Sequence, residues 1–304
     1  MTELRETRSA RRPAGDRPAL RWIPGFALLS LIWGASFVLI KIAVDAGVAP
    51  MWVAFWRCFF GAAALGAVCA VRRLAPSRDR ATWAHALVVA VLFNAVPFAL
   101  FSYGETRVSS VLAGIWNATT PLTTLVFVLA LIPGERRTAR RVLGLLTGFA
   151  GVLVVLGVWH GLRGGTLAGD LACLGATICY GAAFAYTRRY FSGRGDAAAA
   201  LALTQVLCAT VELAVVTPVL AGPPSWPGVR AAVALVVLGS VGTGLAYIIN
   251  LGVIRAAGTT VAASVTYVTP VWSTLLGAWL LGEPPGWNTL AGGALVLAGV
   301  VVSR

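Results

Sequence analysis

Two nine-residue stretches of the chain carry the same kinds of side chain at the same spacing: WGASFVLIK at residues 33–41 and YGAAFAYTR at 180–188. Trp33, Phe37 and Lys41 recur at i, i+4 and i+8, as do Tyr180, Phe184 and Arg188, so each set falls on one helix face. Such a stripe can stack against a flat or apolar solute and set a positive charge at its end. It can equally pack in a core while the cation reaches toward lipid headgroups. Lys41 is the only lysine in the chain, and Asp45, one turn on, is placed to pair with it.

A few other polar residues stand in apolar runs. Arg57 lies within WVAFWRCFFGAAALG, where an ion pair, snorkelling to the interface and contact with a solute are all open to it. Gln205 and Glu212 lie in a later run, and Glu212 is the carboxylate expected deepest inside one, a candidate coupling or ion-pairing group with Arg57. Pro121 and Pro270 interrupt helical runs and cannot donate to the carbonyls of Asn117 and Thr266. Kinks there would expose main-chain acceptors beside Thr120 and Thr266, with Asn94, Trp116, Asn117, Asn250 and Tyr267 near enough to read a polar, partly aromatic solute.

Enzymatic chemistry is not expected. The two histidines, His85 and His160, sit far apart near the ends of apolar runs. The five cysteines show no metal-ligand spacing and suit buried packing. No phosphate-binding glycine signature occurs. Metal ions and cofactors are therefore not expected.

What must position these residues is a set of membrane helices. Of 304 residues, 58% are hydrophobic and 12% charged, with a mean hydropathy of +0.83. Apolar runs of about 20 residues, the length that crosses a bilayer core, recur along the chain. The period-two alternation of a membrane β-barrel is missing. The pattern predicts an all-α integral membrane protein with ten spans near 22–44, 50–71, 82–103, 108–132, 139–159, 168–190, 197–220, 229–253, 258–281 and 286–302. Residues 1–21, rich in Arg and Pro, are expected to form a disordered basic cytoplasmic tail.

The net charge of +13 would suggest nucleic acid in a soluble protein. Here the alternation of loops explains it. With the N-terminus cytoplasmic, nineteen arginines fall on the cytoplasmic side, and only Arg107, Arg163 and Arg230 face outward. The expectation is a multi-pass protein of the plasma or inner membrane with both termini in the cytoplasm, touching lipid and a small molecule but not nucleic acid.

The repeat extends well beyond the opening stripe. TTPLTTLVFVLALIPGE (119–135) parallels VTPVWSTLLGAWLLGE (268–283), and GFAGVLVV (148–155) parallels LVLAGVVV (295–302). Residues 22–159 and 168–304 thus form two five-helix halves. An odd helix count per half inverts the second copy, an arrangement that builds midplane sites with alternating access. Gly144-x-x-x-Gly148 permits close helix contact, within a protomer or across a homodimer.

With these motifs in order, the chain resembles the drug/metabolite transporter superfamily, specifically the EamA-type ten-helix exporters. The resemblance implies secondary-active export of small metabolites, often amino acids or their derivatives, through a central cavity. A rival is export of lipophilic cations, as in the related four-helix multidrug proteins. Those carry a membrane-embedded glutamate in the first span, where this chain has Trp33. Lys41, Arg57 and Arg188 instead bias the route toward zwitterions or anions. A non-transporting scaffold or enzyme is the remaining alternative.

The topology yields a direct test. On a cysteine-free background, single cysteines in the 45–48 loop should react with an impermeant maleimide from outside only; labelling from the cytoplasmic side alone would reverse the orientation.

Overall fold

The computed structural model describes residues 22–131, 138–156, 167–191, 197–257, 265–283 and 285–303. The tail expected at residues 1–21, together with Glu135, His160, Arg163 and the side chain of Arg188, lies outside the described residues.

The described residues are all-helical, without strands. The first half holds α1 (Ile23–Asp45), α2 (Pro50–Val71), α3 (Arg80–Glu105), α4 (Ser110–Leu131) and α5 (Ala139–Leu156). The second holds α6 (Leu167–Tyr186), α7 (Ala198–Ala221), α8 (residues 229–257), α9 (Val265–Leu281) and α10 (Trp287–Ser303). Seven of these, α1 to α4 and α6 to α8, are long and apolar enough to cross a membrane. Helices α5, α9 and α10, at 18, 17 and 17 residues, are shorter, so length and composition establish seven of the ten expected spans.

Local chemistry sets the helix ends. The Asp79 carboxylate accepts from the amides of Ala81 and Thr82 at 3.1 and 3.0 Å, closing the first turn of α3. Ser109 caps α4 through the Leu112 amide at 3.1 Å. Pro50 opens α2, where a missing donor costs nothing. At its far end α3 runs two residues beyond the expected boundary at 103, which brings Glu105 into the helix.

The halves pack as a pseudo-twofold pair. Helix α1 packs along α9, and its counterpart α6 packs along α4. Likewise α3 meets α6 where α8 meets α1, while α2 faces α7 and α5 faces α10. Exchanging the halves maps this pattern onto itself. A finer correspondence lies inside the helices. Val91–Ala95 of α3 and Ser240–Leu245 of α8 are π-helical, and each stretch begins eleven residues after its helix starts. Wide turns of this kind insert an extra residue and recur at functional sites.

The two prolines behave differently. At Pro121 the helix is interrupted: Ser110–Asn117 and Thr120–Leu131 are separate segments joined by a tight turn, with Ala118 and Thr119 donating to Ile115 and Trp116 at 3.0 and 2.9 Å. At Pro270 the helix α9 continues through. Neighbouring hydroxyls fold back onto main-chain carbonyls, Thr124 onto Thr120 and Ser273 onto Pro270, at 2.8 and 3.1 Å.

Glycines let the helices touch. A Cβ on Gly299 would collide with the Gly148 amide and lie 2.7 Å from the Gly144 carbonyl. The Gly144-x-x-x-Gly148 pair is therefore used within the chain, to seat α10 on α5. Gly299→Leu should lower the thermal midpoint of the detergent-purified protein, reflecting an overpacking cost of about 1–3 kcal/mol. Gly252→Ala, with nothing within 4 Å of the added carbon, is the matched control and should not.

Candidate functional site

Between the halves lies a cavity of about 80 Å³, room for several waters at the ~10–15 Å³ each requires. Eight of its thirteen lining residues are aromatic, and Arg57 is the only charged one. Both opening stripes reach it: Trp33 and Phe37 from α1, Tyr180 and Phe184 from α6. Phe37 and Tyr180 each meet the Phe101 ring, with centroids 5.4 and 6.0 Å away, so the stripes converge on α3.

Arg57 is buried, and its guanidinium lies 3.8 Å from the centroid of the Phe98 ring. Its Nε donates to the Thr243 hydroxyl at 3.2 Å. Thr243 belongs to the π-turn of α8, and that wide turn aims the hydroxyl at α2. Among the described residues no carboxylate comes within ion-pairing distance of Arg57; the ion pair found there is Lys41–Asp45 at 3.0 Å. A cation stacked on an aromatic face in a buried wall keeps donors available for an anionic group.

Behind the lining runs a hydrogen-bonded chain across both halves. Gln205 of α7 donates to Asn94 at 2.6 Å, and Asn94 donates to the Tyr247 hydroxyl at 2.9 Å. Asn94 sits in the π-turn of α3, fully buried, and supports the Tyr247 ring that lines the cavity.

The remaining candidates divide cleanly. Asn117, Thr120 and Thr266 line the cavity. Trp116 lies outside it, donating through Nε1 to Asp170 at 2.8 Å. Lys41 also lies outside, its ammonium held by Asp45 and by the Glu105 main-chain carbonyl at 2.9 Å. Tyr267 packs with Leu122 and Val296, and Asn250 is half-buried on α8, beyond the lining. Pro121 and Pro270 do not line it, although Pro121 adjoins Thr120, which does. Glu212 sits away from it, half-buried, with one carboxylate oxygen enclosed and unpartnered. His85, near the arginine-rich end, shares a 2.8 Å hydrogen bond with Tyr186.

Several residues come from parts of the chain that spacing alone does not connect. Phe93, Phe98 and Phe101 of α3 form one wall, and Ser36 and Tyr247 complete it. Their signal was the aromatic density of α3 itself. Glu105 and Asp170 are buried at the opposite end from the arginine loops, at the last residue of α3 and the first turn of α6.

Toward the arginine loops the cavity reaches the half-exposed Phe184 of α6. Toward the other end it stops at Phe101. Beyond that layer Glu283 receives the Ser110 amide and hydroxyl at 2.9 and 2.6 Å, and Gly104 meets Gly169 and Cys173.

Comparison with known proteins supplies the frame for this geometry. Residues 20–157 and 167–304 each match the EamA-like transporter family. An uncharacterized transporter of Archaeoglobus fulgidus is 26% identical over 290 residues, covering 91% of this chain and 95% of that protein. Protein PagO of Salmonella typhimurium is 30% identical over 135 residues, covering 42% of this chain and 43% of PagO, under half its length. A solved crystal structure shares the fold with a TM-score of 0.64 at 22% identity, covering 93% of this chain and 95% of that one. Two family matches, one per half, account for the internal repeat and the all-helical architecture, and the chain belongs to the EamA-like transporter family, whose members are multi-pass membrane transporters and not enzymes.

Proposed function

We propose that this transporter is a secondary-active exporter of small carboxylate-bearing solutes, amino acids or amino-acid-like compounds with apolar side chains. It works by alternating access between two inverted five-helix repeats making ten spans, in the plasma or inner membrane, with both termini cytoplasmic. The observation that carries the substrate class is Arg57, the sole charge in an aromatic cavity, without a carboxylate partner among the described residues. A buried cation in a low-dielectric wall attracts an anionic group and repels a cation more strongly than it would in water. The rings of Trp33, Phe37, Tyr180 and Phe184 offer the apolar side chain a matching surface.

The asymmetry of the cavity supports the transport cycle. With the arginine loops in the cytoplasm, the end reached by Phe184 is the cytoplasmic one, and the sealed end faces outward. This corresponds to an arrangement ready to take solute from inside. The reciprocal arrangement would follow from exchanging the roles of the halves, since their helix pairings are equivalent.

Reconstituted protein should carry labelled hydrophobic amino acids in counterflow, with neutral carboxylate-bearing solutes competing better than quaternary ammonium compounds. Arg57→Gln should weaken apparent affinity for the carboxylate solute by about 10- to 100-fold, the worth of a hydrogen bond to a charged group. Its expression should hold, because the change removes a costly buried charge. Quaternary ammonium compounds that outcompete amino acids, with Arg57→Gln improving their transport, would replace this reading with export of lipophilic cations.

A further inference from the structure

We propose that Glu105 is a proton-binding site whose loading is required to close the face of the transporter opposite the arginine loops. The proposal rests on the alternating-access reading above and names the ion that acts on it.

Glu105 is the last residue of α3 and has no exposed surface. Neither of its carboxyl oxygens has a hydrogen-bond partner among the described residues. This is unlike every other carboxylate gathered at that end. Asp45 pairs with Lys41, Asp170 accepts from Trp116, and Glu283 accepts from Ser110. Among the carboxylates gathered at that end, Glu105 alone is enclosed and unsatisfied.

The charged and titratable groups facing it come from four elements. From α1, Lys41 and Asp45 approach, but the Lys41 ammonium is committed to Asp45 and to the main-chain carbonyl of Glu105. From α2, Arg57 lies within electrostatic reach, but its guanidinium is stacked on Phe98 and bonded to Thr243. After α9, Glu283 adds a second negative charge. From α6, the Cys173 thiol packs at Gly104, one residue before Glu105, with Asp170 one turn away along α6. No facing cation is left to pair with the Glu105 carboxylate. An ionised carboxylate without a partner in a dry interface costs several kcal/mol, whereas the neutral acid does not. The closed arrangement therefore holds Glu105 in its protonated form.

The seal explains how the proton enters. Helices α3 and α6 meet through glycine: a Cβ on Gly104 would lie 2.5 Å from the Cys173 sulfur and 3.2 Å from the Gly169 carbonyl. Opening this face must part α3 from α6, and Glu105 lies in that seam. Water then reaches the carboxyl and takes its proton. On closure one proton moves from water to a carboxylate oxygen, and on opening it returns. Acidification at this face thus favours the closed arrangement and alkalinity the open one. One bound proton allows a limiting change of about tenfold per pH unit in the ratio of the two.

Cys173, fully buried beside the seam, is a built-in reporter. The full-length protein, with Cys173 as its only cysteine, is reconstituted in liposomes and treated with an impermeant maleimide. Rates are normalised at each pH to the intrinsic rate of a free thiol. The expected result is normalised labelling that rises at least tenfold from pH 5 to pH 8, and slow, pH-independent labelling in Glu105→Gln. Folding of the variant is checked by its retained thermal midpoint, with Glu105→Asp, which should restore a pH dependence, as the second variant. Labelling that is flat with pH in the parent, or equally pH-dependent in Glu105→Gln, overturns the proposal. Counterflow of labelled amino acids in the same liposomes separates this from the functional reading. Transport with flat labelling sinks the Glu105 site alone, and pH-dependent labelling without transport of any amino acid sinks the substrate assignment alone.

Discussion

Lipid offers no hydrophobic drive for one helix to pack on another, because its tails are as apolar as leucine. The helices of this protein must instead be held by close approach, and everything else in the structure depends on that. Gly34 admits the Trp272 side chain, Gly181 lies against Thr123, Gly239 meets the main chain at Arg57 and Gly61, and Gly299 meets Gly148. Each contact brings dispersion within range along a whole helix face. Because the same device appears in both halves, the pairing pattern is close to symmetric, and the space left between the pairs is the cavity.

Within that frame charge is allotted to separate places. One cation, Arg57, stands in the cavity wall with its flat face on Phe98. The acidic groups Glu105, Asp170 and Glu283 gather at one end, beneath which the cavity is sealed. The arginine loops lie at the other. The cavity and the acidic layer are separated by little more than Phe101, one turn from Glu105 and itself part of the lining. Solute and proton can therefore act on neighbouring layers of one seam without sharing a ligand.

Much of this architecture was legible in the chain. The Gly-x-x-Phe stripes and the paired prolines identify a duplicated membrane fold, because each is written in local sequence. The Lys41–Asp45 pair was legible for the same reason, being four residues apart on one helix. Glu105 was not. Hydropathy trims a span where charge begins, and only the non-local meeting of Gly104 with Gly169 reveals that this charge is enclosed. Tyr247 was equally hidden, since its place in the wall depends on Asn94, 153 residues away in sequence. The prolines illustrate the converse: the same residue at matching positions interrupts one helix and leaves the other continuous, so local chemistry alone does not fix the outcome.

The matched π-turns of α3 and α8 give these two helices a property that a regular helix lacks. A wide turn is one residue of slack, and each residue of an α-helix advances about 100° around its axis. If the slack passes one position along the chain, the side chain it crosses swings around the axis while the helix ends stay where they are packed. Asn94 and Thr243 both lie within such slack, and each holds a hydrogen bond to a residue of the cavity wall, Tyr247 or Arg57. The two helices can act as opposed swivels, turning the cavity wall without unfastening either end of the bundle.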